Sequence, residues 1–496
     1  VRSYQPFNGI VLTDTFQMYE NEGTEDKPNF PNFTDDFLEN NQRVINQKQN
    51  NITVIIGNPP YSGGQKSVND NAQNLKYEKL ERKLEQTYSS KGTGKRALYD
   101  SCIKAFRWAS DRIKDKGIVC FVSNGSFVDK NAMDGFRKCL VDEFTNIYCF
   151  NLRGFIRGKS GDDAKKEGQN VFNIMTGIAI TLLVKNPNKK PENKVLYYDI
   201  GDYLSRSQKL NIIHYFADIS AIKWEEITPN DSYDWINHRN DIFETFTSLS
   251  DKKDKASKTI FEVCCNGIVT ATYEKQSELG SLFATANTEQ YTKKENIPDS
   301  ILKEYQQKYQ DKTITKEDIF YYIYGVLHSP EYKQRFASDL KKMLPRIPFT
   351  ADFWTFSKAG RELAYWHLNY ETIEPYELEE FKKELYLDDE DYRVEKMGFG
   401  KNKNGTDKTI IIHNIKLTLS QIPLEAYEYI VNGKSALEWI MERYKVTKDK
   451  DSGIINNPND WSEDPRYIVD LVKRIVRVSL ETVRIVNSLP ALNEIV

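Results

Sequence analysis

The chain has 496 residues, 39% hydrophobic and 28% charged, with a net charge of −3. This is the composition of an ordinary globular protein with material for two to four domains and a large core. It excludes a strongly basic nonspecific nucleic-acid binder, so any contact with DNA must come from local clusters that face a cleft. Only Cys264 and Cys265 of the six cysteines are adjacent, and no Cys-x-x-Cys or His/Cys spacing of a zinc site occurs, so no metal is expected and the thiols fit a reducing compartment. No apolar run is long enough to span a bilayer and no signal-peptide pattern is read, so no membrane association is expected.

In chain order, Ile10 to Leu12 reads as a strand that ends in an acidic loop at Asp14. Asp14 either caps a helix beginning at Thr15 or stands as a strand-end polar group. Residues 21–50 are a polar connection with a short helix over 34–47. Val54-Ile55-Ile56-Gly57 then predicts a buried strand. Pro59 and Pro60 stop it, so Asn58 and Tyr61 sit on a stiff loop at its carboxyl end, where open α/β sheets place their ligand sites.

Such a loop suits attack by an exocyclic amino group. The lone pair of an aromatic amine is delocalised into its ring, and two acceptors around the NH2 group pull the nitrogen toward tetrahedral geometry. The Asn58 side-chain oxygen and the Pro59 carbonyl can be those acceptors, the second held in place by the fixed φ of proline. Tyr61 offers a flat face for an extruded base. The alternative is a proline-stiffened surface turn.

Residues 62–96 are polar, either a segment that closes over DNA or a solvated insertion with a helix over 76–88. Leu98, Cys102, Phe106, Ala109 and Ile113 recur at helical spacing, predicting a helix over 97–116 with Gly117 as its C-cap. A strand over 118–124, a helix over 133–143 and a strand over 146–152 give the rhythm of a doubly wound parallel α/β sheet. Residues 153–170 carry Arg153, Arg157, Lys159, Lys165 and Lys166 among glycines, either a phosphate-contacting loop or a solvated charge run. Phe172 precedes a strand over 177–184. A turn-rich connection at 186–194 predicts that the strand over 195–199 pairs antiparallel with it. The domain boundary is expected near 250, giving domains 1–250 and 251–496.

The second half reads as mixed α+β. Helices are predicted over 303–329, 332–344, 360–368, 436–444 and 464–489, and strands over 261–272, 409–413 and 415–419. Pro345 and Pro348 hold the run between them extended and present Arg346 on a stiff backbone. Basic groups for DNA would be Arg153, Arg157 and Lys159 on one side and Lys341, Lys342 and Arg346 on the other. Arg346, with its forked guanidinium, is the favoured contact; the alternative is an arginine that pins the second domain to the first.

Asn58-Pro59-Pro60-Tyr61 resembles the motif of amino-group methyltransferases, chiefly those of adenine N6 in DNA. Taken with Leu344–Phe349, Tyr429–Ile440 and Asp451–Trp461, it resembles the methyltransferase and target-recognition portions of type ISP restriction–modification enzymes. The resemblance implies S-adenosylmethionine as cofactor, a Rossmann-like sheet, double-stranded DNA as partner and a bacterial cytoplasmic location. It implies catalytic roles for Asn58, Pro59, Pro60 and Tyr61, stacking of the target base between Tyr61 and Phe172, and cofactor contacts from Asp14 and Asn58. No Asp-Pro-x-x-Gly-x-Gly cofactor loop, phosphate loop or nuclease motif is read. The expectation is therefore a C-terminal half, with the nuclease, helicase-like ATPase and cofactor-loop segment elsewhere in the same polypeptide. Methylases of glutamine side chains or RNA guanine share the motif, but they are compact and need nothing like the second half. The other competing function is a catalytically inert DNA-recognition module.

Overall fold

The computed structural model describes residues 7, 9–20, 38–60, 76–89, 98–157, 159, 161–251, 257–262, 271–275, 291–384, 386–403, 405–449 and 452–493. Tyr61, most of the insertion after it and the greater part of the strand expected over 261–272 lie outside these. The chain divides into two compact units, Val1–Arg239 and Asn240–Val496.

The elements of the first unit are α1 (Thr15–Glu20), α2 (Leu38–Gln49), β1 (Val54–Gly57), α3 (Glu78–Tyr88), α4 (Ser101–Arg112), β2 (Gly117–Asn124), α5 (Asp134–Glu143), β3 (Asn146–Arg153), α6 (Gly161–Glu167), β4 (Ile178–Lys185), β5 (Val195–Asp199), α7 (Arg206–Phe216) and β6 (Glu225–Ile227). The strands form one sheet in the order β1-β2-β4-β3-β5-β6. β1 lies parallel to β2 and β3 parallel to β5, while β4 runs antiparallel between β2 and β3.

Two-residue alternation sends side chains to both faces. Val119, Phe121, Ile147, Cys149, Leu183 and Tyr197 pack on one face against α3, α4 and α5. Phe150, Leu152, Ile178 and Ile180 pack on the other against Ile212, Ile213 and Phe216 of α7. Asp100 starts α4 by accepting from the Cys102 amide. Phe106 of that helix meets Phe121, Phe127 and Phe136 edge to face, a burial that contributes about 2–3 kcal/mol per ring.

Four local expectations are corrected. The 195–199 strand does not form a hairpin with its predecessor. β4 enters the sheet antiparallel, and β5 crosses back to lie parallel to β3. Ile10 to Leu12 is not a strand: the Leu12 amide and carbonyl are both bonded by the Asn40 side chain, at 2.7 and 2.9 Å. Gly117 is no C-cap, because α4 ends at Arg112 and Gly117 opens β2, where a Cβ would stand 2.6 Å from the Thr53 carbonyl. β1 is not fully buried. It pairs on one side only among the described strands, leaving Val54 54% and Ile56 77% exposed while Ile55 packs on the core.

The second unit opens with α8 (Asp241–Thr245) and β7 (Thr247–Ser248). Phe243 is fully buried in its core and β7 pairs with β10 (Arg346–Ile347). These contacts move the division between units to residue 240, upstream of the predicted 250. β8 (Ala271–Lys275) and β9 (Tyr291–Glu295) pair with each other. The helices α9 (Asp299–Lys308), α10 (Lys316–His328), α11 (Pro330–Arg335), α12 (Ala337–Lys342) and α13 (Phe353–Leu368) follow. The single helix predicted over 303–329 is two, because Thr315 and Asp318 form a capping box that starts α10 afresh. The helix predicted over 332–344 likewise splits into α11 and α12.

Gly325 of α10 and Gly360 of α13 let these helices touch backbone to backbone, since a Cβ on Gly360 would lie 1.8 Å from the Tyr321 carbonyl oxygen. A four-stranded antiparallel sheet completes the unit, in the order β11 (Glu379–Lys382), β14 (Leu417–Ser420), β13 (Gly405–Ile412), β12 (Gly398–Asn402). Ile411, Leu417 and Leu419 pack from it onto α14 (Ala436–Arg443) and α15 (Tyr467–Asn487). The architecture is an α/β sheet unit followed by a mixed α+β unit. Among the described residues, no helix is long and apolar enough to cross a membrane.

Candidate active site at the carboxyl edge of the sheet

Strands β1, β2 and β3 end at one edge of the sheet, and β4 begins there. Asn58 is exposed immediately beyond β1, with Pro59 buried behind it. Beside them, the Gly125 amide at the end of β2 donates to the Gly177 carbonyl at 2.8 Å. A Cβ on Gly125 would stand 3.1 Å from the Ile178 backbone, so this close approach favours glycine. The contact brings the 170–177 loop to the same edge as Asn58.

Phe172 sits on that loop with 37% of its surface exposed. Its amide donates to Asn170 Oδ1 at 2.8 Å, while Asn170 Nδ2 donates to the carbonyls of Gly154 (3.1 Å) and Thr176 (2.7 Å). Asn170 thus ties the turn at Gly154 to its own loop and was missed in the sequence, where its only signal is an Asx residue two positions before a turn. β1 and β4 lie on either side of β2, about 10 Å apart. Asn58 and Phe172 are on one edge and Phe172 is not buried behind the sheet; Tyr61 lies outside the described residues.

The basic loop after β3 is tied to its own unit. Arg153, at φ +55°, donates to Asp199 at 2.6 Å and also pairs with Asp202. Burial pulls its basicity down, but the Asp199 bond and charge outweigh that and raise it. Two carboxylates therefore neutralise Arg153, and the geometry gives it a loop-holding task in place of an open phosphate contact. Lys159 pairs with Glu167 at 2.5 Å, and Arg157 is exposed. Lys209 of α7, fully buried, donates to the carbonyls of Leu152 and Glu167, and burial brings its pKa down to about 8.

Asp14 resolves as a helix cap. One oxygen accepts from the Phe16 and Gln17 amides at 2.9 and 3.3 Å, and the other accepts from the Tyr77 hydroxyl at 2.7 Å. Burial, then this bond, push the Tyr77 hydroxyl well above its ordinary range. In this geometry Asp14 does not fit the adenine contact that the resemblance assigned to it. Among the described residues no group of three His, Cys, Asp or Glu is placed to hold a metal ion.

In the second unit Arg346 donates to the carbonyls of Glu244 and Phe246 at 3.1 and 3.0 Å, beside a pocket of roughly 730 Å³ lined by Phe246, Lys258, Lys308 and Phe349 among others. It pins α8 and β7 within its own unit. Lys341 is exposed and Lys342 half-buried at the end of α12.

The Eco57I restriction-modification methylase model matches residues 7–154, and the Type ISP C-terminal specificity domain model matches residues 246–471. The first match lies within the first unit and the second within the second unit, with residues 155–245 matched by neither. The chain belongs to the type ISP restriction–modification family. The type ISP chain is similar over 99% of its length to the ATP-dependent Type ISP restriction-modification enzyme LlaBIII bound to DNA, at 30% identity and a TM-score of 0.83. It is likewise similar over 99% to a nuclease-deletion mutant of the Type ISP enzyme LlaGI in complex with a DNA substrate mimic (31%, 0.77). The DrdV–DNA complex matches over 92% (26%, 0.73). The type ISP chain spans only 40%, 48% and 58% of these three chains. No curated protein matches it. The methylase family implies a methyl donor of the S-adenosylmethionine type.

Proposed function

We propose that the first unit methylates the N6 amino group of adenine in a specific DNA sequence, with S-adenosylmethionine as donor, and that the second unit selects the sequence. The observation that carries this reading is the placement of Asn58 and Pro59 on the same sheet edge as the exposed ring of Phe172. The donor supplies an electrophilic methyl group. Asn58 Oδ1 and the Pro59 carbonyl would accept from the two N–H groups of the amine, localise its lone pair and stabilise the positive charge that grows on nitrogen as its bond to the methyl carbon replaces the donor's S–C bond, one N–H proton then leaving to solvent. Phe172, with Tyr61 opposite, holds the extruded base by stacking. Arg157 and Arg346 remain the proposed phosphate or base contacts of the two units. The DNA-bound relatives support duplex DNA as partner. LlaBIII is described as ATP-dependent and the LlaGI chain as a nuclease-deletion mutant, which supports placing ATPase and nuclease activities in the same polypeptide here; a bacterial cytoplasmic location is proposed from the family resemblance.

Mass spectrometry of nucleosides from duplex DNA incubated with the chain and donor tests this. N6-methyladenine is expected, reduced at least a hundredfold in Asn58→Ala. N4-methylcytosine would instead make the base a cytosine. A second reading, DNA recognition without methyl transfer by this chain alone, is favoured by the full engagement of Asp14. It predicts duplex binding with no methylated base.

A further inference from the structure

β12 and β13 form a ribbon that leaves its sheet. β13 pairs with β14 only at Ile411 and Ile412, so among the described residues the part of the ribbon beyond them has no sheet neighbour. The register jumps there from Phe399↔Ile411 to Gly400↔Asp407. Lys408, Thr409 and Ile410 are therefore an extra stretch on one strand, a bulge that bends and twists the ribbon and re-aims its far end.

The bend is held firmly. Lys408 reaches Glu438 at 3.1 Å and lies over the rings of Phe399 and Tyr427, while the Tyr427 hydroxyl donates to the Lys408 carbonyl at 2.8 Å. The Thr409 carbonyl accepts from the Ile422 amide, and a Cβ on Gly400 would stand 2.8 Å from Ile410 Cβ. What the bend presents is Lys401, Asn402, Lys403 and Thr406, all exposed. The nearby carboxylate, Asp407, is bonded within the ribbon by Thr409 and Asn402. Lys401 and Lys403 form no ion pair among the described residues. A fixed ribbon that carries two uncompensated cations and a short amide contributes little to stability.

We propose that this ribbon, residues 400–403 with 405–407, enters the major groove of DNA, with Lys401 and Lys403 on phosphates and Asn402 and Thr406 at base edges. Three residues of strand reach about 10 Å, against a major groove about 8.5 Å deep and 12 Å wide that admits a two-stranded ribbon. The assignment deepens, and rests on, the reading of the second unit as the one that selects a DNA sequence.

The test is binding of the full chain to a mixed-sequence 30-base-pair duplex across a salt series. Lys401→Ala/Lys403→Ala should lower the slope of log affinity against log salt by about two, a loss of about thirtyfold at 0.15 M salt that fades toward 1 M. Lys194→Ala, an exposed lysine of the first unit paired with Glu226, should leave the slope unchanged. Asn402→Ala should keep the slope but change the sequence selected from a random duplex pool at one position. Wild type that binds with a normal slope, matched by the double variant, overturns the ribbon assignment alone. A changed slope with an unchanged selected sequence in both Asn402→Ala and Thr406→Ala overturns the groove reading. Wild type that binds no duplex at any salt overturns the proposed function itself.

Discussion

The most informative single perturbation lies at Arg137, whose guanidinium is fully buried in the first unit. Its nitrogens donate to the carbonyls of Tyr233 (2.5 Å), Phe127 (2.8 Å) and Lys130 (2.8 Å) and to Asp234 at 3.1 Å. Asp234, also buried, is held a second time by Arg239 at 2.8 Å. Burial lowers the basicity of Arg137, Asp234 opposes that, and Arg239 adds to it. Two cations thus share one carboxylate, so the two deletions are not equivalent. Arg137→Met leaves a balanced Asp234–Arg239 pair, and its cost is three orphaned carbonyls, about 3 kcal/mol. Asp234→Asn leaves two buried guanidinium groups side by side and should cost more, about 4–5 kcal/mol. Because the chain has two units, the assay must report on one of them. Pulsed thiol labelling of Cys149, fully buried in β3, along a urea series with peptide mass readout does so. Equal costs, a reversed order, or losses under 1 kcal/mol for both would refute the charge argument.

Other outcomes follow from the second unit. Gly360→Ala should cost about 3 kcal/mol or more, because its Cβ meets the Tyr321 carbonyl oxygen; a change within 0.5 kcal/mol in urea unfolding would contradict the backbone contact between α10 and α13. His367 is stacked on Tyr429 and bonded to Tyr324 and Thr482. Burial first, then the neighbouring His328, bring its pKa to about 4. The unfolded chain takes up that proton nearer pH 6.5, so stability is complete above 6.5 and falls as pH drops toward 4, by up to about 3 kcal/mol. His367→Gln should flatten the pH dependence of unfolding in that window, and a curve parallel to wild type would contradict it.

Much of the first unit was legible because its strands and helices carry clean periods. The predicted strands over 118–124 and 146–152 and the helix over 133–143 match β2, β3 and α5 to within about one residue. Period does not encode strand direction, which is why β5 was placed in a hairpin with β4 when it crosses to β3. The role of Arg153 was hidden for a related reason. A run of basic residues looks free until folding brings Asp199 and Asp202 onto it. The cap at Asp14, one of the two readings its sequence left open, and the strand-end position of Asn58 both follow from local backbone rules. Asn170 was not legible, because no periodic pattern marks an irregular loop, and its bonds to Gly154, Phe172 and Thr176 exist only once the turn after β3 folds back onto that loop.

The central claim is that the edge holding Asn58 and Phe172 receives one base drawn out of a duplex. Photocrosslinking tests it most directly, with 5-iodouracil replacing each adenine in turn in a tightly bound duplex, because that base couples to a ring stacked against it. The account predicts one position whose crosslink maps to the peptide containing Phe172 or to that containing Asn58 and Tyr61, and loses the Phe172 adduct in Phe172→Ala. Crosslinks confined to the second unit, or to parts of the first unit away from this edge, would contradict it.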